Sequence, residues 1–307
     1  MTTRELGIRF LLSLVVLWAV FTATFALTRL APGSPFGHLG PQSPEASRNM
    51  DRQHQLDQPA HRQYGAQLFS LLKGDLGTSL SFAPGARVSS VLWPRFLVSL
   101  RLGLWALVVA VVLGGGCGII AGARLRSPVD RVLTVFFLLL ASASVIVLGG
   151  ALRAVGTTSG SPFLAGGFQT WRHQVLPVLA LGLVYAAILF RLVRGGVAQQ
   201  RTSKLLVAVA GRGVSPRRIL WRYVVPAALV PLLSYLGPFV AGMLTGSLVV
   251  ERLFDIPGLA ACFVQGAASR DYPLLMGAIL VYTVLLLALN LGFEWVRRAL
   301  DAREVAR

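Results

Sequence analysis

Three histidines, His38, His54 and His61, share one stretch with Asp51 and Asp57. Imidazole and carboxylate ligate divalent metals, which raises the prospect of a bound ion. Their spacings match no metal-site pattern, and imidazoles are ordinary on a polar surface. Ser159 beside Gly160 offers a hydroxyl nucleophile, but no histidine or other base stands at a useful spacing. Glu251, Asp255 and Asp271 carry carboxylates, the groups of paired acid–base chemistry, yet they flank the ends of apolar stretches. Gly114, Gly115, Gly116 and Gly118 have the composition of a phosphate cradle. The chain's lysines, Lys73 and Lys204, do not follow the G-x-x-x-x-G-K-[ST] spacing, so these glycines fit close helix packing instead. Cys117 and Cys262 make neither a disulfide framework nor a metal-ligand spacing. The expectation is a protein with no catalytic residue, metal or cofactor of its own.

The elements that carry these residues are built for a bilayer. Of 307 residues 55% are hydrophobic and 13% charged, with a mean hydropathy of +0.68. A soluble globular protein carries about 25% charged residues, so disorder, a coiled coil and a soluble enzyme are disfavoured. A bilayer core about 30 Å thick takes about 20 apolar residues in a helix. Six stretches qualify: 8–30, 96–121, 132–155, 175–194, 224–250 and 273–292. The first is longer than the roughly 7–15 residues of a signal-peptide core and is read as a retained span. The fifth holds Pro226, Pro231 and Pro238, which kinked membrane helices tolerate. The fold class predicted is an all-α integral membrane protein of six spans, with a sizeable external region at 31–95 and a cytoplasmic loop at 195–223.

Charge sets the orientation. The balance of 29 Lys and Arg against 12 Asp and Glu gives +17, a value that also suits nucleic-acid binding. Sorting by loop removes that reading. Arg191, Arg194, Arg201, Lys204, Arg212, Arg217, Arg218 and Arg222 crowd one acid-free connection, and Arg124, Arg126 and Arg131 face Asp130 in another turn. The positive-inside rule makes both cytoplasmic, along with both termini, and puts +12 of the charge inside. No charge sits at a span centre, which weighs against an ion-coupled pump.

Within the acid-free loop, 204–210 reads as a helix stopped by a turn at 211–213. Ser215 then reads as an N-cap and Pro216 as the first residue of a second short helix. A basic helix–turn–helix tethered at the membrane is either a solvated topology loop or a docking element for a cytoplasmic partner.

The loop resembles the coupling motif of ATP-binding-cassette importer permeases: Ala208 and Val209 stand at its Ala-Ala pair, Gly213 at its glycine and Pro231 at its terminal proline. The whole chain is similar to the dipeptide/oligopeptide (nickel) permease group. Its first span ends in Arg29-Leu30-Ala31-Pro32-Gly33-Ser34-Pro35. Leu56-Asp57-Gln58-Pro59 and Gly74-Asp75-Leu76-Gly77-Thr78-Ser79-Leu80 follow in the external region. After the fifth span come Glu251, Phe254, Pro257-Gly258-Leu259 and Arg270-Asp271-Tyr272-Pro273. The chain departs from the pattern at Val207, at Val209-Ala210-Gly211-Arg212-Gly213 and at Ser142-Ala143-Ser144-Val145-Ile146, where the group has Ser-x-Pro-x-Phe.

The resemblance implies the type I importer permease architecture in a bacterial inner membrane. It implies a second homologous permease, two cytoplasmic ATPases that bind ATP and magnesium, an external solute-binding protein, and surrounding lipid; no nucleic acid takes part. It assigns ATPase coupling to Ala208, Val209, Arg212, Gly213, Val214, Ser215, Pro216, Arg217 and Arg218. The external motif residues are Gly74, Asp75, Gly77, Ser79, Glu251, Phe254, Pro257, Gly258, Asp271 and Pro273. Polar groups within spans, Ser234, Tyr235, Thr245 and Asn290, are candidates for the translocation path. Short peptides are the implied cargo, with nickel or another small solute, or a stand-alone secondary transporter, as alternatives.

Overall fold

The computed structural model describes residues 3–30, 58–158, 163, 166–201 and 214–305. Among them the regular structure is helical, and the turns between helices hold one isolated bridge, Thr78 to Arg87. The helices are α1 (Thr3–Leu30), α2 (Ala60–Leu72), α3 (Val88–Ala123), α4 (Pro128–Ser142), α5 (Val145–Thr157), α6 (Trp171–Arg201), α7 (216–253), α8 (Leu259–Ala268) and α9 (Tyr272–Val305). Five candidate spans are long and apolar enough to cross a membrane, or six if α4 and α5 together make one.

Three features differ from the sequence reading. The helix that carries the second apolar stretch begins at Val88, eight residues before that stretch. The third apolar stretch is broken, α4 and α5 meeting at 97°. At the break Ala143 and Ser144 are extended, and Ser144 Oγ accepts the Ile146 N–H at 3.2 Å, so a serine N-cap starts a new helix inside an unbroken apolar run. Finally, the helix that begins at Pro216 is not a separate short piece. It passes through a π turn at Leu220–Val224 and continues as Val225–Leu253. Pro226 lacks an N–H and its ring crowds the carbonyl four residues earlier; the wider π turn lies across that position.

The chain divides into two compact units, Met1–Leu97 with Gly258–Leu287, and Val98–Pro257 with Ala288–Arg307. In the first, Phe21 and Phe25 of α1 pack on Met276 and Leu280 of α9, and Tyr64, Leu68 and Leu71 of α2 close over them. The Tyr64 and Thr22 hydroxyls lie 2.9 Å apart. A second cluster joins Val88 and Leu92 of α3, Leu259 and Cys262 of α8, and Leu274 and Ala278 of α9.

In the second unit α6 is the central helix, with Leu181, Ala186, Phe190 and Val193 all buried. Gly114, Gly118 and Gly122 recur every four residues along one stripe of α3, so the α6 backbone can approach. A Cβ at Gly114 would lie 2.3 Å from the Ala186 carbonyl oxygen, and one at Gly118 2.9 Å from Val193 Cβ. Small residues at such crossings let membrane helices gain van der Waals contact in a solvent as apolar as themselves. Phe137 of α4 stacks on Phe190 of α6 at 4.3 Å between ring centroids.

The stripe makes a test. Gly114→Val puts a branched side chain against a main-chain oxygen that cannot swing away, so the helices must part along the stripe. A large fall in the thermal unfolding midpoint of the detergent-purified protein is expected, from overpacking of about 1–3 kcal/mol or more. Gly150→Ala, with nothing within 4 Å of its Cβ, leaves the midpoint unchanged or raises it.

Candidate functional site

The external motif residues form a built loop. Gly74 and Gly77 take φ of +78° and +81°, which only glycine adopts without strain. Asp75 Oδ1 accepts the Gly77 N–H at 2.9 Å, an Asx turn that reverses the chain after α2. Ser79 N–H donates to the Ala86 carbonyl and Val88 N–H to that of Gly77, so the loop closes on itself where α3 begins.

Asp271 organises this loop from a point far along the chain. Its side chain is fully buried. Its Oδ2 accepts the Ser79 hydroxyl at 2.5 Å and the N–H groups of Leu80, Ser81 and Phe82 at 3.1, 3.0 and 3.0 Å. Its Oδ1 accepts the Leu274 N–H at 3.2 Å, capping α9. The carboxylate thus fills a concavity of main-chain donors on one side and neutralises a helix N-terminus on the other. Ser79 Oγ also accepts from Ala83 N–H, which locks the turn. Pro273 lies beside Gly77, 3.8 Å from where a Cβ would stand. The sequence named Ser79 and Asp271 separately; the structure brings them together across 192 residues.

The motif after the fifth span ends α7. Glu251 is fully buried, accepts the Ser247 hydroxyl at 3.3 Å, and its carbonyl receives the Ile256 N–H. Phe254 is buried too, its carbonyl taking the Gly167 N–H at 3.0 Å. Asp255, at φ +51°, pairs with Arg153 of α5 at 2.7 Å, and Arg153 also donates to the Leu253 carbonyl. Pro257 is exposed, and Gly258 is the extended residue before α8. These groups hold a turn; none is a free carboxylate pair for acid–base work.

At the other end of the second unit, Ala208, Val209, Arg212 and Gly213 lie outside the described residues. Val214 is half-buried, Ser215 is the N-cap residue with no side-chain bond to the helix, and Pro216, Arg217 and Arg218 are exposed at the start of α7. Sequence reasoning missed an ion pair nearby. Arg194 of α6 forks onto Asp130 of α4, Nε to Oδ1 at 2.6 Å and an Nη to Oδ2 at 3.0 Å. The Arg126 N–H and Thr134 hydroxyl complete the carboxylate's shell. The available signal was a single acid in an otherwise basic turn.

Of the path candidates, Tyr235 is exposed on α7, and Asn290 of α9 faces Gly237, whose Cβ would lie 2.8 Å from its Oδ1. Ser234 and Thr245 are placed on α7. His38, His54 and Ser159 lie outside the described residues, among which no group of His, Cys, Asp or Glu is placed to hold a metal.

Residues 114–305 match the family described as binding-protein-dependent transport system inner membrane component. The chain is 34% identical to the oligopeptide transport system permease protein of Haemophilus influenzae, over 91% of this chain and 92% of that one. It is 32% identical to the dipeptide transport system permease protein of Bacillus subtilis, over 96% of each. Among solved structures, the inward-facing MetNI methionine ABC transporter aligns with a TM-score of 0.57 at 15% identity, covering 68% of this chain and 96% of that chain. An amino acid ABC transporter aligns with a TM-score of 0.55 at 16% identity, covering 69% and 94%. At such identities the likeness is one of fold.

Proposed function

Since the chain belongs to the binding-protein-dependent transport system inner membrane components, and is a permease subunit of an ABC importer, we propose that it imports short peptides with a second permease, two cytoplasmic ATPases and an external binding protein. The observation that carries the cargo is identity of 32–34% to oligopeptide and dipeptide permeases over nearly the whole chain. ATP hydrolysis belongs to the partner chains; this one supplies half of the pathway and the coupling element. Both termini and the turn at 124–131 face the cytoplasm, and the loop built on Asp271 faces outward, where cargo is delivered.

The coupling element is the segment from Ala208 to Arg218. Its C-terminal end, with Arg217 and Arg218 exposed, is the first turn of α7, and the helix continues from there to Leu253 through the π turn. Closure of the ATPase pair displaces this end and shifts the permease between inward-open and outward-open states, by as much as ATP and cargo bind the two states differently.

Reconstitution tests the reading. Vesicles holding all subunits should take up labelled di- and oligopeptides only with ATP and the binding protein, and this chain alone under an ion gradient should take up none. Gly213→Pro should reach the membrane at normal levels yet lose both uptake and ATPase co-purification. Uptake by the chain alone, or by the Gly213→Pro complex, overturns the mechanism. Competition by nickel rather than by peptides overturns the cargo.

A further inference from the structure

A groove of about 210 Å³ runs between α4 and α6. Leu138, Ala141 and Ile188 line one end, and Thr134, Arg191 and Arg194 the other. The two helices agree on its direction. α4 enters from the turn at 124–131 and α6 leaves toward the acid-free loop, so the polar end of both is the end proposed to be cytoplasmic. Leu138 is 64% exposed, so the apolar end opens outward rather than into the unit's core.

The charges at the polar end do not balance. Arg194 and Thr134 are both engaged by Asp130. Arg191 lines the same wall, is exposed, and has no ion pair among the described residues. It lies three residues, about 4.5 Å along the helix, on the membrane side of Arg194. Near a span end an exposed guanidinium snorkels to the headgroup layer, where an anion can meet it. Arg124, Arg126 and Arg131, all exposed on the adjoining turn, add positive potential at the same end. The required occupant is amphiphilic, with an anionic head beside Arg191 and an apolar tail along Leu138 and Ile188. Basic pockets between spans on the cytoplasmic side suit anionic lipid headgroups.

We propose that this groove is a binding site for one anionic phospholipid of the cytoplasmic leaflet, its phosphate on Arg191 and its acyl chain between α4 and α6. The site rests on the orientation proposed above. Because α4 and α6 also share the Asp130–Arg194 pair, the bound lipid wedges the crossing that this pair ties.

The test uses the assembled complex in nanodiscs containing phosphatidylglycerol or phosphatidylcholine, with retained lipid counted by native mass spectrometry. Wild type should retain phosphatidylglycerol in preference to phosphatidylcholine. Arg191→Gln should lower that retention about fivefold, as expected for one basic contact to an anionic surface. Arg191→Lys should keep most of it, and Arg252→Gln, at the opposite end of the second unit, should change nothing. Equal retention by Arg191→Gln, no preference between the lipids, or capture of peptide or protein instead of lipid by a photocrosslinker at Leu138 overturns the site. Leu125→Cys, labelled with an impermeant maleimide in intact cells, checks the orientation separately. Labelling from outside overturns the orientation and with it the leaflet; protection with unchanged lipid retention in Arg191→Gln overturns the site and leaves the orientation standing.

Discussion

Asp271→Ala should prevent the protein from accumulating in the membrane, an effect larger than any other single substitution in the external loop. The carboxylate accepts from the Ser79 hydroxyl and four main-chain N–H groups, and its removal takes the acceptor from three buried donors, Ser79, Leu80 and Leu274, and from the half-buried N–H groups of Ser81 and Phe82. Each buried polar group left unsatisfied costs about 1–3 kcal/mol, so several together approach the whole stability of a typical domain. Asp271→Asn keeps the shape and one acceptor oxygen and should give partial accumulation. Ser79→Ala removes one bond to a charged acceptor and should cost about 1.5–3 kcal/mol. Membrane abundance by immunoblot and unfolding midpoints in detergent give the order wild type, Ser79→Ala, Asp271→Asn, Asp271→Ala. Wild-type abundance and midpoint for Asp271→Ala would show that the loop is held by something else.

The second large effect is asymmetric. Removing one partner of a buried ion pair costs about 3–5 kcal/mol because a buried charge is left uncompensated. Here burial is uneven: the Asp130 side chain is 4% exposed and that of Arg194 31%. Arg194→Ala strands a buried carboxylate and should cost about 3 kcal/mol, the lower end of that range because Arg126 N–H and Thr134 still donate to it. Asp130→Ala frees a guanidinium that can turn toward water or headgroups and should cost less. The double substitution should be more stable than Arg194→Ala alone. Unfolding midpoints of the three variants decide it, and a larger loss for Asp130→Ala than for Arg194→Ala would refute the account.

Apolar length made the spans legible, since the bilayer imposes it on every crossing helix. What hydropathy did not convey was direction within a span. The break at Ser144 is invisible to it because Ala143 and Ser144 are small and nearly neutral, so the averaged pattern runs through a 97° turn. Ser142-Ala143-Ser144 departs from the family pattern, and a serine before an apolar run is also an N-cap signal. The external motif residues were recognised as types and not as partners. A contact between Ser79 and Asp271 follows from the fold, and no local pattern encodes it. The same holds for Arg194 and Asp130, each of which alone looks like an ordinary end-of-helix charge. The backbone's answer to the first proline of the fifth stretch is a π turn at Leu220–Val224.

That answer has a mechanical consequence. From Pro216 to Leu253 the backbone is continuously helical, about 57 Å of rise at about 1.5 Å per residue. Under the coupling proposed above, a push on its basic tip is carried along a continuous helix toward the Glu251–Phe254 turn. The π turn sets the phase of that shaft: one residue more or fewer there would rotate Arg217 and Arg218 by about 100° relative to everything beyond it.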